Sequence, residues 1–213
     1  MYSPDYVLAD EKIYDTLLMF IKEYIKAFFG DCNQCSSDFA RIITDSHFDR
    51  LASFIEKDHV FAGGIINKDD RYISPTILTN VSMDSPVMQE EIFGPILPVI
   101  KYQTLNEACA FINSRPKPLA LYLFTEKAET EKEVLTNISF GGGCVNDTLM
   151  HVTNPYMPFG GVGSSGMGGY HGKKSFETFS HMKSIFKSVS WFDLPVRYAP
   201  YKNKVKIIKR IMH

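Results

Sequence analysis

Apolar positions follow two spacings along the chain, one typical of helices and one typical of strands. Apolar residues recur at helical spacing from Ile13 to Phe28, and Gly30 ends that pattern. Nearly continuous apolar runs at 96–102 and 119–124 indicate strands, the second of them buried on both faces. Because helical and strand patterns alternate, we expect an α/β layered domain.

Polar residues beside the apolar runs predict where several elements begin. Asp10 is expected to cap the first helix and Ser46 to open the second, while Thr104 and Glu107 form a capping box. Pro75 predicts an edge position or a bend in its strand. Further strands are expected at 60–62, 72–78 and 140–146, and a helix is expected from Thr125 to about Asn137.

The stretch 154–172 is dense in glycine, which favours a long shaped loop over a helix or strand. Residues 161–166 within it match the pattern G-x-G-x-x-G. A dinucleotide-binding fingerprint needs an apolar strand before these glycines and a helix after them, and neither pattern is present here. We therefore interpret the glycines as backbone-packing positions.

Composition is that of a globular protein, with 45% hydrophobic and 22% charged residues among 213. The net charge of −1 is unevenly spread: residues 197–213 hold six Lys/Arg and no acidic residue, whereas 1–196 hold 17 basic and 24 acidic ones. An acidic body argues against nucleic acid as a partner. With no secretory signal pattern at the start, the expected location is cytoplasmic.

The four cysteines are too few for a disulfide scaffold and fit a reducing compartment. Cys32 and Cys35 form a C-x-x-C pair without further zinc ligands at suitable spacing, so we interpret them as incidental residues of a surface turn. Cys144 is interpreted as a small buried residue, since we find no histidine base near it in sequence. No metal site is expected.

Two blocks carry a specific family resemblance: Met-Gln-Glu-Glu-Ile-Phe-Gly-Pro at 88–95, and Pro-Phe-Gly-Gly-Val-Gly-Ser-Ser-Gly-Met-Gly at 158–168, which continues to 181. They resemble the aldehyde dehydrogenase superfamily, class 3 branch, which handles medium- to long-chain and aromatic aldehydes. The resemblance extends in order from residue 1 to about 200. It implies the aldehyde dehydrogenase catalytic-domain fold over 1–182, an oligomerisation arm strand at 183–190 and a basic tail at 191–213.

The resemblance also implies a chemistry that this chain does not carry in full. The family binds NAD or NADP on a separate N-terminal Rossmann-like domain, which we expect to be missing here together with the general base. A cysteine thiolate attacks the aldehyde, and Met1 occupies the matching position. Because a thioether cannot ionise, no catalytic residue is expected to be retained. We expect neither cofactor binding nor turnover by this chain alone.

Several site residues do match. Glu91 resembles the carboxylate that binds the nicotinamide ribose hydroxyls, and Phe93 resembles the ring beside that ribose, with Gly94 and Pro95 fixing the turn. Asn146 resembles the family asparagine that ties active-site backbone together. Taken alone, Phe93 and Phe159 would be interpreted as core residues. The positions that match an apolar aldehyde pocket are Leu149, Val152, Thr153, Phe159 and His171.

The sequence leaves more than one interpretation open for the partners and for the function. The arm at 183–190 resembles a strand that pairs with a neighbouring subunit, which implies a homodimer. The tail is either an interfacial basic helix in weak, peripheral contact with a membrane surface or, as we favour, a solvated segment covering an apolar patch. The first functional interpretation is the C-terminal portion of an aldehyde dehydrogenase. The alternatives are a non-catalytic dimerisation or binding module and a small protein that binds a ligand in its apolar pocket.

Overall fold

The computed structural model describes residues 4–55, 59–201 and 204–211, so Met1 and the prediction attached to it lie outside the described residues. The strands are β1 (Val7–Asp10), β2 (Val60–Ala62), β3 (Ile66–Asn67), β4 (Tyr72–Ile73), β5 (Thr76–Leu78), β6 (Ile96–Tyr102), β7 (Ala120–Leu123) and β8 (Gly142–Val145). The helices are α1 (Tyr14–Phe29), α2 (Asp45–Ser53), α3 (Leu105–Asn113), α4 (Ala128–Asn137), α5 (Met150–Thr153), α6 (Gly172–Thr178) and α7 (Val205–Ile211).

A four-stranded sheet in the order β1-β6-β5-β2 forms the centre of the fold. The first three of these strands are mutually parallel, and β2 pairs antiparallel to β5. The register places Val7 opposite Val99 and Thr76 opposite Ile96. Parallel strands joined through helices confirm the expected α/β class.

Helices cover both faces of this sheet, and successive strand residues point to opposite faces. Ile77 and Val99 face α1 and pack with Leu18. Leu78 and Ile96 face α2 and pack with Leu51, which is fully buried. The result is a helix–sheet–helix arrangement whose two apolar clusters lie on opposite faces of the same strands.

Strands β7 and β8 form a separate parallel pair. Cys109 of α3, Val134 of α4 and Ile138, which follows α4, form a third apolar cluster, which packs against Leu121 of β7. The residues of β7 are half-buried, so the expectation of burial on both faces is wrong. The described part of this sheet has two strands, and their side chains stay partly exposed to solvent.

Three predicted helix starts are wrong and one is right. Helix α4 begins at Ala128 and not at Thr125. Asp10 ends β1 and accepts from the Lys12 N–H, while α1 begins without a side-chain cap. Helix α2 is capped by Thr44 instead of opening at Ser46. Thr104 caps α3 by accepting from the Glu107 N–H, as expected.

The predicted strand at 72–78 divides into β4 and β5 at Ser74–Pro75, and the two halves join different sheets. Proline lacks the N–H that a continuous ladder would need, so the predicted bend is confirmed.

The Cys32–Cys35 pair forms a disulfide just after α1, which our interpretation as incidental turn residues did not anticipate.

The C-terminal segments lie largely on the surface. Residues 183–190 contain no helix or strand within the described part of the chain. The tail forms the short helix α7, and Lys204 donates from Nζ to the carbonyls of Pro195 and Tyr198. Among the described residues, no helix is long and apolar enough to cross a membrane.

Candidate functional site

The loop at 89–95, here called the presenting loop, has one buried side chain with an exposed side chain on either side of it. Ile92 is 2% exposed and anchors the loop in the cluster beneath α2. Its neighbours Glu91 and Phe93 point outward, with Phe93 47% exposed. One buried side chain therefore fixes the directions of the two residues predicted to bind the nicotinamide ribose.

The backbone of the presenting loop is strained where it displays the aromatic ring. Phe93 has φ +53°, a left-handed conformation that costs a non-glycine residue about 1–2 kcal/mol. At Gly94, a Cβ would lie only 2.6 Å from the Leu51 Cδ1, so the turn requires glycine. Strain of this kind persists only where surrounding contacts enforce it.

Arg50 of α2 supplies most of those contacts. Its Nη2 donates to the Ile92 carbonyl at 2.6 Å, and its Nη1 donates to the Glu91 carbonyl at 3.3 Å. The same Nη1 lies 3.0 Å from the Glu90 Oε2 in a salt bridge. A planar guanidinium with several fixed donors is suited to holding three consecutive residues at once.

His47, one turn earlier on α2, holds the next residue of the presenting loop. Its Nε2 lies 2.9 Å from the Phe93 carbonyl, and its Nδ1 lies 3.2 Å from the Arg50 Nη2. A carbonyl only accepts and a guanidinium only donates, so Nε2 carries the proton and Nδ1 accepts. His47 thus links Arg50 to the strained residue.

Asp5 holds the loop from the opposite side. Its Oδ1 accepts from the Ile92 N–H at 2.9 Å. Burial raises the pKa of the Asp5 carboxyl and outweighs the Ile92 hydrogen bond, which lowers it, while the nearby Glu91 charge raises it further. We call Asp5, His47 and Arg50 the clamp. Sequence reasoning missed all three members, and the spacing of three residues between His47 and Arg50 is common on any helix.

Asn146 ties the ends of β7 and β8 together. Its Nδ2 donates to the Thr125 carbonyl and its Oδ1 accepts from the Thr125 N–H, both at 2.8 Å. Asn146 has φ +56°, a conformation that asparagine tolerates better than most residues. The side chain therefore replaces a strand pairing just beyond the sheet and orients the chain that enters α5.

The predicted pocket residues at the start of α5 lie near the surface. Leu149 is exposed with φ +64°, and Val152 is half-buried. Thr153 donates its hydroxyl to the Met150 carbonyl. These contacts fix the turn and leave the Leu149 side chain available to a ligand.

Phe159 lies deeper than a pocket wall, because it is 6% exposed and surrounded by rings. Its backbone forms an antiparallel bridge with Tyr170 through two hydrogen bonds of 2.9 Å. His151 packs on it at a centroid distance of 5.8 Å, and His171 at 6.4 Å. In this chain, Phe159 is therefore packed as a core residue. The role of Phe159 in an aldehyde pocket stays a prediction.

His171 adopts φ +79° and is half-buried in the same ring cluster. Its ring lies 4.4 Å from that of Tyr170, and its backbone N–H donates to the Ser175 Oγ. The buried Nδ1 has no hydrogen-bond partner among the described residues.

Cys144 corrects the sequence analysis, because a histidine does lie beside it. The Cys144 Sγ is 3.4 Å from the Nδ1 of His151, seven residues later, and the cysteine is half-buried. His151 is 5% exposed, and burial lowers the pKa of its imidazole. Within the described ranges, no group of three or more His, Cys, Asp or Glu could hold a metal ion.

Comparison with known proteins identifies the family. A model described as the aldehyde dehydrogenase family matches residues 2–185. The chain is 50% identical over 210 residues to 4,4'-diaponeurosporen-aldehyde dehydrogenase of Staphylococcus aureus, covering 97% of this chain and 46% of that relative. It is also 50% identical over 182 residues to human aldehyde dehydrogenase family 3 member B1, covering 85% and 39% respectively.

The solved structures agree. A substrate-bound state of Staphylococcus aureus AldH superposes with a TM-score of 0.86 at 49% sequence identity, covering 100% of this chain and 47% of that one. The chain thus spans less than half the length of these relatives. The matched range includes the presenting loop, the clamp, β8 and the glycine-rich segment, and the chain belongs to the aldehyde dehydrogenase family as a class 3-like member.

Proposed function

We propose that this chain forms the catalytic-domain part of an NAD(P)-dependent aldehyde dehydrogenase for apolar aldehydes, in which it supplies the nucleotide and aldehyde contacts but, with Met1 at the cysteine position, not the nucleophile. The observation that carries the proposal is the clamp, which holds a strained loop so that Glu91 and Phe93 face outward side by side. A fold stores such strain chiefly where it must present side chains to a ligand.

The residues of the presenting loop fit a nicotinamide ribose. The Glu91 carboxylate is exposed and has no hydrogen bond or salt bridge among the described residues, so both oxygens are open to donors. A ribose diol offers two hydroxyl donors, and a carboxylate only accepts. The exposed Phe93 ring would pack beside the sugar and limit its rotation. The bound nicotinamide would supply the hydride acceptor, and these residues would orient it.

The apolar character of the substrate rests on the segment after β8. Leu149 and Val152 project apolar side chains around the start of α5, and Asn146 fixes the direction in which they leave the sheet. The Staphylococcus relative is named 4,4'-diaponeurosporen-aldehyde dehydrogenase. The apolar side chains of Leu149 and Val152 favour a hydrophobic aldehyde over a small polar one.

The arm supports a proposal on assembly. Ile185 and Phe186 are 79% and 86% exposed, an unusual density of bare apolar surface in an extended segment. A segment with unpaired backbone groups gains hydrogen bonds by adding to a sheet edge of a second copy. This supports a homodimer formed through residues 183–190.

The chemistry can be tested by fusing residues 1–213 behind the N-terminal half of the Staphylococcus relative. Two forms are compared, one with the native sequence and one with Met1→Cys, and nucleotide reduction is followed with a long-chain aldehyde. We expect turnover only with Met1→Cys, because a thioether cannot form the thiohemiacetal.

Glu91→Gln in the active fusion should raise the KM for the nucleotide, since an amide replaces one acceptor oxygen with a donor group. Glu129→Gln, at an exposed position on α4, is the matched control and should leave that KM unchanged. Absence of turnover from a folded Met1→Cys fusion that binds nucleotide would refute the proposed function.

A further inference from the structure

A second thiol with a histidine partner lies outside the residues assigned to nucleotide or aldehyde. The Cys144 Sγ and the His151 Nδ1 are 3.4 Å apart, where the end of β8 meets α5. The imidazole is almost fully buried, and its Nε2 has no hydrogen-bond partner among the described residues. Its Nδ1 is therefore the nitrogen committed to the sulfur.

The surrounding backbone and rings fix this imidazole in place. A Cβ at Gly142 would lie 3.0 Å from the His151 Cδ2, so the ring occupies space that a side chain on β8 would fill. Tyr122 and Phe159 flank the ring at centroid distances of 5.8 Å each. Because packing on three sides already fixes the ring, directing Nδ1 at the thiol costs no further side-chain entropy.

The surroundings of the other three cysteines differ from those of Cys144. Cys32 and Cys35 are joined in a disulfide. Cys109 is free but buried between α3 and α4, where burial chiefly, and then the Glu133 charge, raises the pKa of its thiol. Cys144 is half-buried and is the free thiol that has an imidazole beside it in the described structure. Reactive thiols occur in partly exposed sites beside a base or a positive charge.

We infer that Cys144 is a covalent modification site that takes uncharged α,β-unsaturated carbonyl compounds, with His151 as its proton acceptor. A soft sulfur nucleophile adds to the β-carbon of such compounds without a leaving group, an oxidant or a co-reactant. The aromatic side chains of Tyr122 and Phe159 favour an uncharged, apolar reagent. The inference is independent of the proposed function, because it requires neither nucleotide nor aldehyde oxidation.

The atoms and electrons balance in two steps. The Sγ–H proton passes to the His151 Nδ1, and the thiolate forms an S–C bond at the β-carbon while the C=C π pair moves toward the carbonyl. The resulting enolate then takes a proton at its α-carbon from the imidazolium. The thiol has added across the double bond, and His151 is again neutral.

The location gives the adduct a means of affecting the pocket. His151 separates Cys144 from Phe159, whose ring also contacts His171. A group added to the sulfur would press on the imidazole and, through it, on two of the predicted pocket residues.

The test measures labelling of the 213-residue chain by N-ethylmaleimide, an uncharged α,β-unsaturated carbonyl compound, with peptide mapping of each cysteine over time. We expect Cys144 to react at least about tenfold faster than Cys109. His151→Gln should slow labelling of Cys144 by about tenfold and leave Cys109 unchanged, because an amide keeps a polar contact but accepts no proton.

His181→Gln, which alters an exposed histidine outside the ring cluster, is the matched control and should label at the rate of the unaltered chain. In concentrated urea, the Cys144 rates of the unaltered and His151→Gln chains should coincide. Faster labelling of Cys109, or an unchanged Cys144 rate in folded His151→Gln, would overturn the inference. If His151→Gln does not fold, the ratio of the Cys144 labelling rate to the Cys109 labelling rate in the unaltered chain decides whether the inference stands.

Discussion

At the scale of single residues, backbone strain coincides with the site inferred from sequence. Six non-glycine residues of the described structure have positive φ, and four of them are Phe93, Asn146, Leu149 and His171. Each of these four was assigned to the site by resemblance alone. Left-handed conformations cost bulky residues free energy, so their concentration here indicates a structure shaped to display side chains.

Arg50→Ala should lower the free energy of unfolding by about 2 kcal/mol, because it removes charge-assisted hydrogen bonds to Ile92 and Glu91 and leaves their carbonyls partly unpaired. Lys68→Ala, which breaks the exposed pair with Asp49, is the control and should leave the free energy of unfolding nearly unchanged, because water screens an exposed ion pair. Urea unfolding followed by circular dichroism measures both. Equal losses from the two variants would mean that the clamp adds no stability.

Asp5→Asn should stabilise the protein at neutral pH and not in acid. Burial raises the folded-state pKa of Asp5 above its ordinary value of about 4, so the stability that protonated Asp5 contributes is present below that value and is lost as pH rises through the folded-state pKa. Asparagine keeps an oxygen for the Ile92 N–H without the buried charge. Unfolding free energies from pH 4 to pH 7 should therefore diverge, and a constant difference would contradict this account.

At the scale of elements, helical periodicity predicted α1 and α3 because each packs an apolar face against a buried cluster, and a nearly continuous apolar run predicted β6 because both of its faces are covered. The apolar pattern did not separate β4 from β5, since both halves of 72–78 are buried and differ only in the sheet they join. The apolar pattern also predicted that β7 is buried on both faces. That prediction was wrong because the apolar content of a strand does not reveal how many neighbouring strands it has. These outcomes depend on pairing between distant segments.

Phe186→Asp should convert a dimer into a monomer if the arm at 183–190 mediates assembly, because a charge would be buried in the new strand pairing. Phe176→Asp on α6 replaces a ring outside the arm that is also largely exposed, and it should leave the mass unchanged. Light scattering at tens of micromolar provides the readout. A monomeric mass for the folded, unaltered chain would exclude this mode of assembly.

The basic tail should remain with the body of the protein and away from lipid. Lys204 already bonds two carbonyls of the preceding turn, and Ile208 is half-buried on α7. We therefore expect no flotation with anionic liposomes at low salt. Flotation that requires anionic lipid and disappears at high salt would instead establish weak peripheral membrane contact.

At the scale of the whole molecule, much apolar surface is exposed. On α1 the exposed side chains include Phe20, Tyr24 and Phe28, and beyond β8 they include Met167, Phe179 and Met182. Monomeric proteins rarely leave so many large apolar groups in water. The central sheet has a core on each face, whereas the surfaces of α1 and the C-terminal segments have little to pack against.

This imbalance predicts marginal stability for the 213-residue chain. Its midpoint of thermal unfolding should fall below about 65 °C, the upper range for mesophilic domains. Scanning calorimetry should also show a broad transition, because peripheral segments with few buried contacts open before the core. A sharp cooperative transition above that temperature would show that the exposed surface costs less than we expect.

The sequence by itself determined the class of fold, the family and the motif that contains Glu91 and Phe93. These features are local: they depend on periodicity and on contiguous motifs, which a linear chain displays directly. Only the tertiary structure decided that Asp5 and α2 clamp the presenting loop, that Phe159 lies beneath other rings, and that His151 stands beside Cys144. Those contacts join segments through burial and hydrogen-bond geometry, which depend on where the backbone travels and not on which residues adjoin in sequence.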